Sequence, residues 1–257
     1  MKIATWNVNS LRVRLQQVMD WLGTHQPDVL CLQETKLQDD IFPIDVMTQA
    51  GYQPIFTGQK TYNGVALLGK NNGTDIHTAL PGFDDPQKRL IAATYGDLRV
   101  ICVYVPNGEH VGSEKYTYKL EWLTKLSAFL QQEQKRYRNI AVLGDFNIAP
   151  ADRDVYDPQA WQGKILCSEA ERQAFQQLLE TGFVDSFHLF EQPEKVYTWW
   201  DYRMMAFRRN RGLRIDHILL SHEIAASCIA WQVDKEFRKL ERPSDHAPVW
   251  VELTSTM

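Results

Sequence analysis

The sequence predicts an α/β fold in which layered β-sheets are flanked by helices. Three observations point there. Short runs rich in β-branched and aromatic residues recur between turn residues, and few segments carry the 3.6-residue period of an amphipathic helix. No linker rich in Gly, Ser or Pro, and no repeat of fixed period, divides the 257 residues. A chain of this length buries a large core without splitting, so residues 1–257 are expected to form a single domain.

Strands are predicted, in chain order, over residues 3–8, 29–33, 65–69, 90–95, 100–105, 140–144, 215–220 and 249–253, each a short apolar run closed by turn residues. The clearest helix begins after Ser113, whose hydroxyl can cap it. Tyr116, Leu120, Leu123 and Leu130 then share an apolar face, with Gln and Lys opposite. A second helix is predicted from Ser168, where Ser168-Glu169-Ala170-Glu171 reads as a capping box, to just before Gly182. Residues 149–164, with Pro150, Asp152, Asp154, Asp157 and Pro158, read as a surface loop.

Composition narrows the classes. With 44% hydrophobic and 23% charged residues the chain reads as globular, and a net charge of -4 does not announce a nucleic-acid binder. A site that collects carboxylates for a divalent cation adds negative charge, however, and basic residues can gather on one face. Cys31, Cys102, Cys167 and Cys228 are more than sixty residues apart, which rules out a CxxC zinc ribbon and suggests reduced thiols. No apolar run approaches the ~20 residues of a membrane span, and MKIATWN lacks the apolar stretch of a signal peptide. A cytoplasmic, membrane-free protein is expected, and with no long apolar heptad, a monomer.

The informative polar residues fall at strand ends, where a rigid scaffold presents side chains to a ligand. They are Asn7 after IATW, Glu34 after VLCLQ, Tyr104 and Asn107 in VYVPNG, Asp145 and Asn147 in GDFN, Asp216 in RID, and Asp245-His246 in PSDH. Taken singly, an Asp after Gly is most often a turn and an Asp-His pair most often structural. Six such segments in one chain form a set that suits metal-assisted hydrolysis of a phosphodiester. The oxygen ligands Asn7, Glu34 and Asp245 suit Mg²⁺, with Mn²⁺ as a substitute, because Mg²⁺ keeps several waters and takes only one or two carboxylates. Asp145 is placed to orient and deprotonate water. His246 is either an imidazolium donor to phosphate or a base held by a carboxylate such as Asp216, and Asn147 and Tyr104 supply neutral donors.

These segments resemble the exonuclease III family of the endonuclease/exonuclease/phosphatase superfamily. The likeness runs from MKIATWNVNSLRVR through QET, NGVALL, YVPNG, GDFNIAP, ERQAF, TWWDYR and GLRIDHILLS to ERPSDHAPV, nearly the whole chain. The resemblance implies a DNase I-like four-layer sandwich, two packed β-sheets with helices outside. It implies Glu34 as principal metal ligand with Asn7, Asp145, Asn147 and Asp245 nearby, Asp145 activating water, and Asn147 and His246 contacting phosphate. Asp216 then pairs with His246, and Tyr104 packs beside the reacting nucleotide. The implied activity is Mg²⁺-dependent repair of duplex DNA at abasic sites or damaged 3′ ends, as 3′–5′ exonuclease, 3′-phosphatase and abasic-site endonuclease. The alternative is a same-scaffold phosphoesterase acting on RNA ends or a phospholipid.

Arg203, Arg208, Arg209, Arg211 and Arg214 place five guanidinium groups in twelve residues, interleaved with aromatic neighbours, and predict a stretch that grips the DNA backbone. Lys36, Lys88, Arg89 and Asn107 extend this surface. Family members that cut at abasic sites enclose the baseless sugar in an apolar pocket, which Trp199, Leu213 and Ile215 match here. Leu166 is bulkier than the pattern at its position and is expected to narrow that pocket, which puts 3′-end processing beside abasic incision as a prominent activity.

Overall fold

The computed structural model describes residues 1–254. Its strands are β1 (Lys2–Asn7), β2 (Val29–Gln33), β3 (Gln53–Thr57), β4 (Val65–Gly69), β5 (Thr74–His77), β6 (Leu90–Tyr95), β7 (Leu98–Tyr104), β8 (Asn139–Asp145), β9 (Phe183–Asp185), β10 (Asp216–Ser221), β11 (Cys228–Val233) and β12 (Val249–Leu253). They form two six-stranded sheets, ordered β11-β12-β1-β2-β4-β3 and β5-β6-β7-β8-β10-β9. Each sheet is mixed: β1 pairs with β2, and β7 with β8, in parallel, while the other pairs are antiparallel.

Three apolar layers follow from strands whose residues are buried on both faces. Between the sheets lie Ile3, Val29, Cys31, Val65 and Leu67 from one side and Val100, Cys102, Ala141, Leu143 and Ile218 from the other. Alternate residues Ala4, Trp6, Leu30 and Leu32 point outward against helix α1 (Leu11–His25), which contributes Val18, Trp21 and Leu22; α2 (Ile44–Gln49) adds Met47 to the same layer. On the second sheet, Ile101, Val103, Ile140 and Val142 meet Trp122, Leu126 and Phe129 of α3 (Glu114–Glu133), and Phe175 and Leu178 of α5 (Glu169–Glu180) close the same layer. The order helix, sheet, sheet, helix is the four-layer sandwich. Between α3 and α5, α4 (Pro158–Trp161) and a 3₁₀ turn over Asp152–Asp154 give short helical turns to the segment expected as a loop.

Both caps read in the sequence form. Ser113 accepts the amide of Tyr116, and at α5 Ser168 and Glu171 make a reciprocal capping box. Tyr116, Leu123 and Leu130 lie on the buried face of α3 as expected, and the departure is at one pair of positions. Lys119 is fully buried, while Leu120 is only partly so. The four cysteines are free, three of them buried.

Candidate active site

Pairing between strands aligns the site. In the second sheet Tyr104 stands opposite Asp145, and Asp145 opposite Asp216, so three candidate site residues form one row across β7, β8 and β10. In the first sheet Asn7 ends β1 opposite Gln33 of β2, with Glu34 next in the chain. The loop before β12 carries Asp245 and His246. It is tied down by Trp6 Nε1 donating to the His246 carbonyl (3.2 Å), Ser244 Oγ donating to the Asn7 carbonyl (2.6 Å), and a bridge between Trp199 and His246.

His246 lies between two carboxylates. Its Nδ1 is 2.9 Å from Asp216 Oδ2, and its Nε2 is 3.7 Å from Asp145 Oδ2. Burial by itself disfavours the charged ring, but Asp216 first and Asp145 next outweigh it and push the imidazole up to about 10. Burial, reinforced by the Asp216 charge and opposed by His246, pushes Asp145 up to about 7. Asp145 is further held by the Asn147 amide (2.9 Å) and Asn7 Nδ2 (2.9 Å). The Tyr104 hydroxyl sits well above the usual phenol range, because it is buried and faces the Glu34 and Asp145 charges, so it stays a neutral donor.

The amide of Asn7 joins the two sheets. Its Nδ2 donates to Glu34 Oε1 and to Asp145 Oδ2, each at 2.9 Å, while its Oδ1 accepts the Asn9 amide. Glu34 Oε2 also pairs with Lys36 Nζ at 2.9 Å. Among the described residues, the one group of three His, Cys, Asp or Glu residues close enough to share a metal is Asp145, Asp216 and His246. Both ring nitrogens of His246 already face carboxylates of that group, Nδ1 toward Asp216 and Nε2 toward Asp145. The hard oxygens of Glu34 and Asp145, beside Asn7, fit a small divalent cation better. Asp245 stands apart: its Oδ1 accepts Asn9 Nδ2 (3.0 Å) and its Oδ2 accepts Trp199 Nε1 (2.9 Å). Burial pushes its carboxyl up, but the His246 charge and these two bonds outweigh that and hold it below its ordinary value. Asn147 meets the set through Asp145 and receives Asn107 Nδ2 at 3.2 Å.

The backbone is strained where these residues sit. Asn9, Ser10, Glu34, Lys36, Asn147 and Leu166 all have φ between 43° and 93°, a region non-glycine residues seldom occupy. Asn9, which sequence reasoning passed over, links the set by accepting Lys36 Nζ (2.6 Å) and donating to Asp245. Its only sequence signal is its place two residues after Asn7.

The expected DNA-contacting residues divide. Arg203, Arg208, Arg209 and Arg211 are exposed on one loop. Arg214 is not part of that surface: it is fully buried, with Nε 2.7 Å from Asp154 Oδ1 and Nη1 2.7 Å from Asp185 Oδ2. Its charge is satisfied inside the protein, which corrects the reading of five free guanidinium groups. Arg89 lies 4.7 Å over the Tyr104 ring and lines, with Asn107, Lys115 and Tyr62, an open cleft of about 850 Å³. Trp199 packs on an apolar cluster of Ala149, Val155, Leu166, Cys167, Leu213 and Ile215, in which Leu166 is 5% exposed.

The chain matches the Endonuclease/Exonuclease/phosphatase family over residues 4–246. It is 38% identical to exodeoxyribonuclease III of Haemophilus influenzae, covering 98% of this chain and 99% of that protein. A solved structure of the 3′ phosphatase NExo from Neisseria, bound to a product DNA hairpin, superposes with a TM-score of 0.97 at 50% identity, covering 99% of each chain. An AP endonuclease from Archaeoglobus fulgidus gives 0.94 at 39% identity, covering 98% of this chain and 99% of that one. The chain belongs to the endonuclease/exonuclease/phosphatase family, as an exodeoxyribonuclease III-type hydrolase of DNA repair with the DNase I-like fold.

Proposed function

We propose that this protein cleans 3′ ends of duplex DNA, removing 3′-phosphates and 3′-terminal nucleotides, with abasic-site incision the weaker activity. The observation that carries the reading is Leu166, 5% exposed and packed in one cluster with Leu213, Ile215 and Trp199, the residues to which the family resemblance assigns the pocket for a baseless sugar. The Neisseria relative's description as a 3′ phosphatase agrees with it.

In this reading His246 is the imidazolium donor to phosphate, because its pKa of about 10 leaves it charged through neutral pH. Asp145, facing His246 Nε2 and held by the Asn147 amide and Asn7 Nδ2, is the group placed to orient water and take its proton. Asn147 and Tyr104 donate to charge that develops on the phosphoryl oxygens. Glu34 and Asp145 would hold Mg²⁺, with Asn7 orienting both carboxylates through Nδ2 and Asn147 and Asp245 beside them; the cation would supply Lewis-acid stabilisation of the phosphoryl oxygens and the leaving group. Lys36, Arg89, Asn107, Trp199 and the loop arginines Arg203, Arg208, Arg209 and Arg211 hold the duplex. Site residues run from Asn7 to His246, which supports residues 1–257 as one unit, acting as a monomer. No helix among the described residues is long and apolar enough to cross a membrane; the proposed location is the cytoplasm.

The test is a panel of matched duplexes carrying a 3′-phosphate, a nick, a blunt end or an internal abasic analogue. The 3′-phosphate should be the best substrate, and Leu166→Gly should raise abasic incision by about tenfold or more, the scale of one well-shaped apolar contact. Strong abasic incision by the parent that Leu166→Gly leaves unchanged would remove the blocked pocket. EDTA should stop every reaction and Mg²⁺ or Mn²⁺ restore it; full turnover in chelator would remove the metal.

A further inference from the structure

Beneath the loop that carries Asn107 and Gly108, a buried lysine does something the reaction scheme leaves unexplained. Lys119 projects from α3 into the protein and is 0% exposed. Its ammonium has three N–H donors and three acceptors: the Asn147 carbonyl (2.6 Å), the Asn107 carbonyl (3.1 Å) and Glu171 Oε1. Glu171, equally buried, also accepts the Leu166 amide (3.0 Å) and, through its other oxygen, the Ser168 amide (3.0 Å) and hydroxyl (2.6 Å). One ion pair therefore ties together the loop after β7, the loop after β8 and the segment carrying Leu166. Gly108 sits beside the lysine stem at φ 91°, a backbone conformation that favours glycine, and a Cβ there would lie 3.1 Å from Lys119 Cδ.

Stability is a poor reason for such a pair. Two charges taken from water at best roughly break even against an apolar pair of similar volume. What the pair specifies is position. Asn147 sits at φ 50°, and its amide, side chain and carbonyl are each fixed by a different partner: Asp145, then Val105 with Asn107, then Lys119.

We infer that Lys119 is a positioning residue for the reaction, holding Asn147 and Asn107 in register by their carbonyl groups and coupling them through Glu171 to the segment that carries Leu166. The inference rests on the reading of Asn147 as a phosphate contact.

The experiment is a double-mutant cycle on a duplex carrying a 3′-phosphate, with melting temperature measured alongside turnover. Lys119→Met with Glu171→Gln removes both charges and leaves no unpaired ion. This variant should melt close to the parent yet turn over roughly 100-fold more slowly, the loss expected from small misplacement of a catalytic group, with KM little changed. Adding it to Asn147→Ala should cost little beyond Asn147→Ala alone, because the effect passes through Asn147. Lys119→Arg keeps a charge opposite Glu171 and runs the same cycle if the pair exchange does not fold. Turnover within twofold of the parent, or losses that multiply independently, would overturn the inference. Full activity of Asn147→Ala would instead overturn the reading beneath it, so the two failures are distinct.

Discussion

At the scale of single residues, the site is organised by what Asp216 does to His246. A fully buried imidazole would ordinarily give up its proton. Here Asp216, 2.9 Å from Nδ1, holds the charge and pushes the ring up to about 10. Because the folded value lies above the ordinary one, this contact stabilises the fold fully below about pH 6.5 and is lost as pH rises through about 10. Asp216→Asn removes the largest raising contribution and leaves Asp145 and Asp245 alone to oppose burial. The ring protons of His246 in the metal-free variant should therefore titrate well below those of the parent, and turnover should fall by roughly 10²–10⁴-fold, the range for a displaced acid or base. Asp145→Asn should lower turnover comparably with DNA affinity retained. Parent-like titration in Asp216→Asn, or turnover within tenfold in both variants, would break this account.

At the scale of elements, what was legible depended on burial. The eight strands predicted from sequence are the interior ones, where runs such as VLCLQ and VALLG are buried at every position. The four that were missed, β3, β5, β9 and β11, are the four sheet edges. Edge strands pair on one side only and keep polar or exposed residues, as in TDIH, so their pattern is weak. Helix α1 escaped as well: the residue at its N-cap, Ser10, makes no side-chain cap bond and sits at φ 93°. The candidate site residues that the structure brings together were legible because most lie at the ends of interior strands or just beyond them. Lys119 and Arg214 were misjudged for the converse reason, since a sequence shows a cation but not the acid that meets it inside. The exposed arginines make a prediction at this scale. Replacing Arg203, Arg208, Arg209 and Arg211 one at a time by Gln should weaken binding to all duplexes alike. Each true phosphate contact removed should lower the slope of log affinity against log salt by about 1, with turnover at saturation little changed. An unchanged salt slope in all four would leave the loop as a solvated surface.

At the scale of the molecule, two sheets must be held so that Asn7 and Glu34 from one meet Asp145 and Asp216 from the other. The apolar layer between them sets the distance, but it is non-directional and does not fix the loops at the sheet ends. Arg214 helps to do so. It joins Asp154, between β8 and α4, to Asp185, at the end of β9, from its own place before β10, and all three are buried. Burial opposes charge on Asp185, yet Arg214 and His217 together hold its carboxyl far below the usual range. A depressed carboxylate stabilises the fold above the unfolded value of about 3.9 and ceases to as pH falls below it. Arg214→Met reverses the logic, because it leaves Asp154 and Asp185 buried without their shared cation, and burial of Asp185 is then opposed by His217 alone. The variant should lose about 3–5 kcal/mol at pH 7, the cost of stranding buried charge. That deficit should shrink on acidification toward pH 4, as Asp185 takes up a proton that it refuses in the parent. Melting of parent and variant across pH 4–8 measures it, and a deficit independent of pH would mean that Arg214 acts by packing rather than by charge.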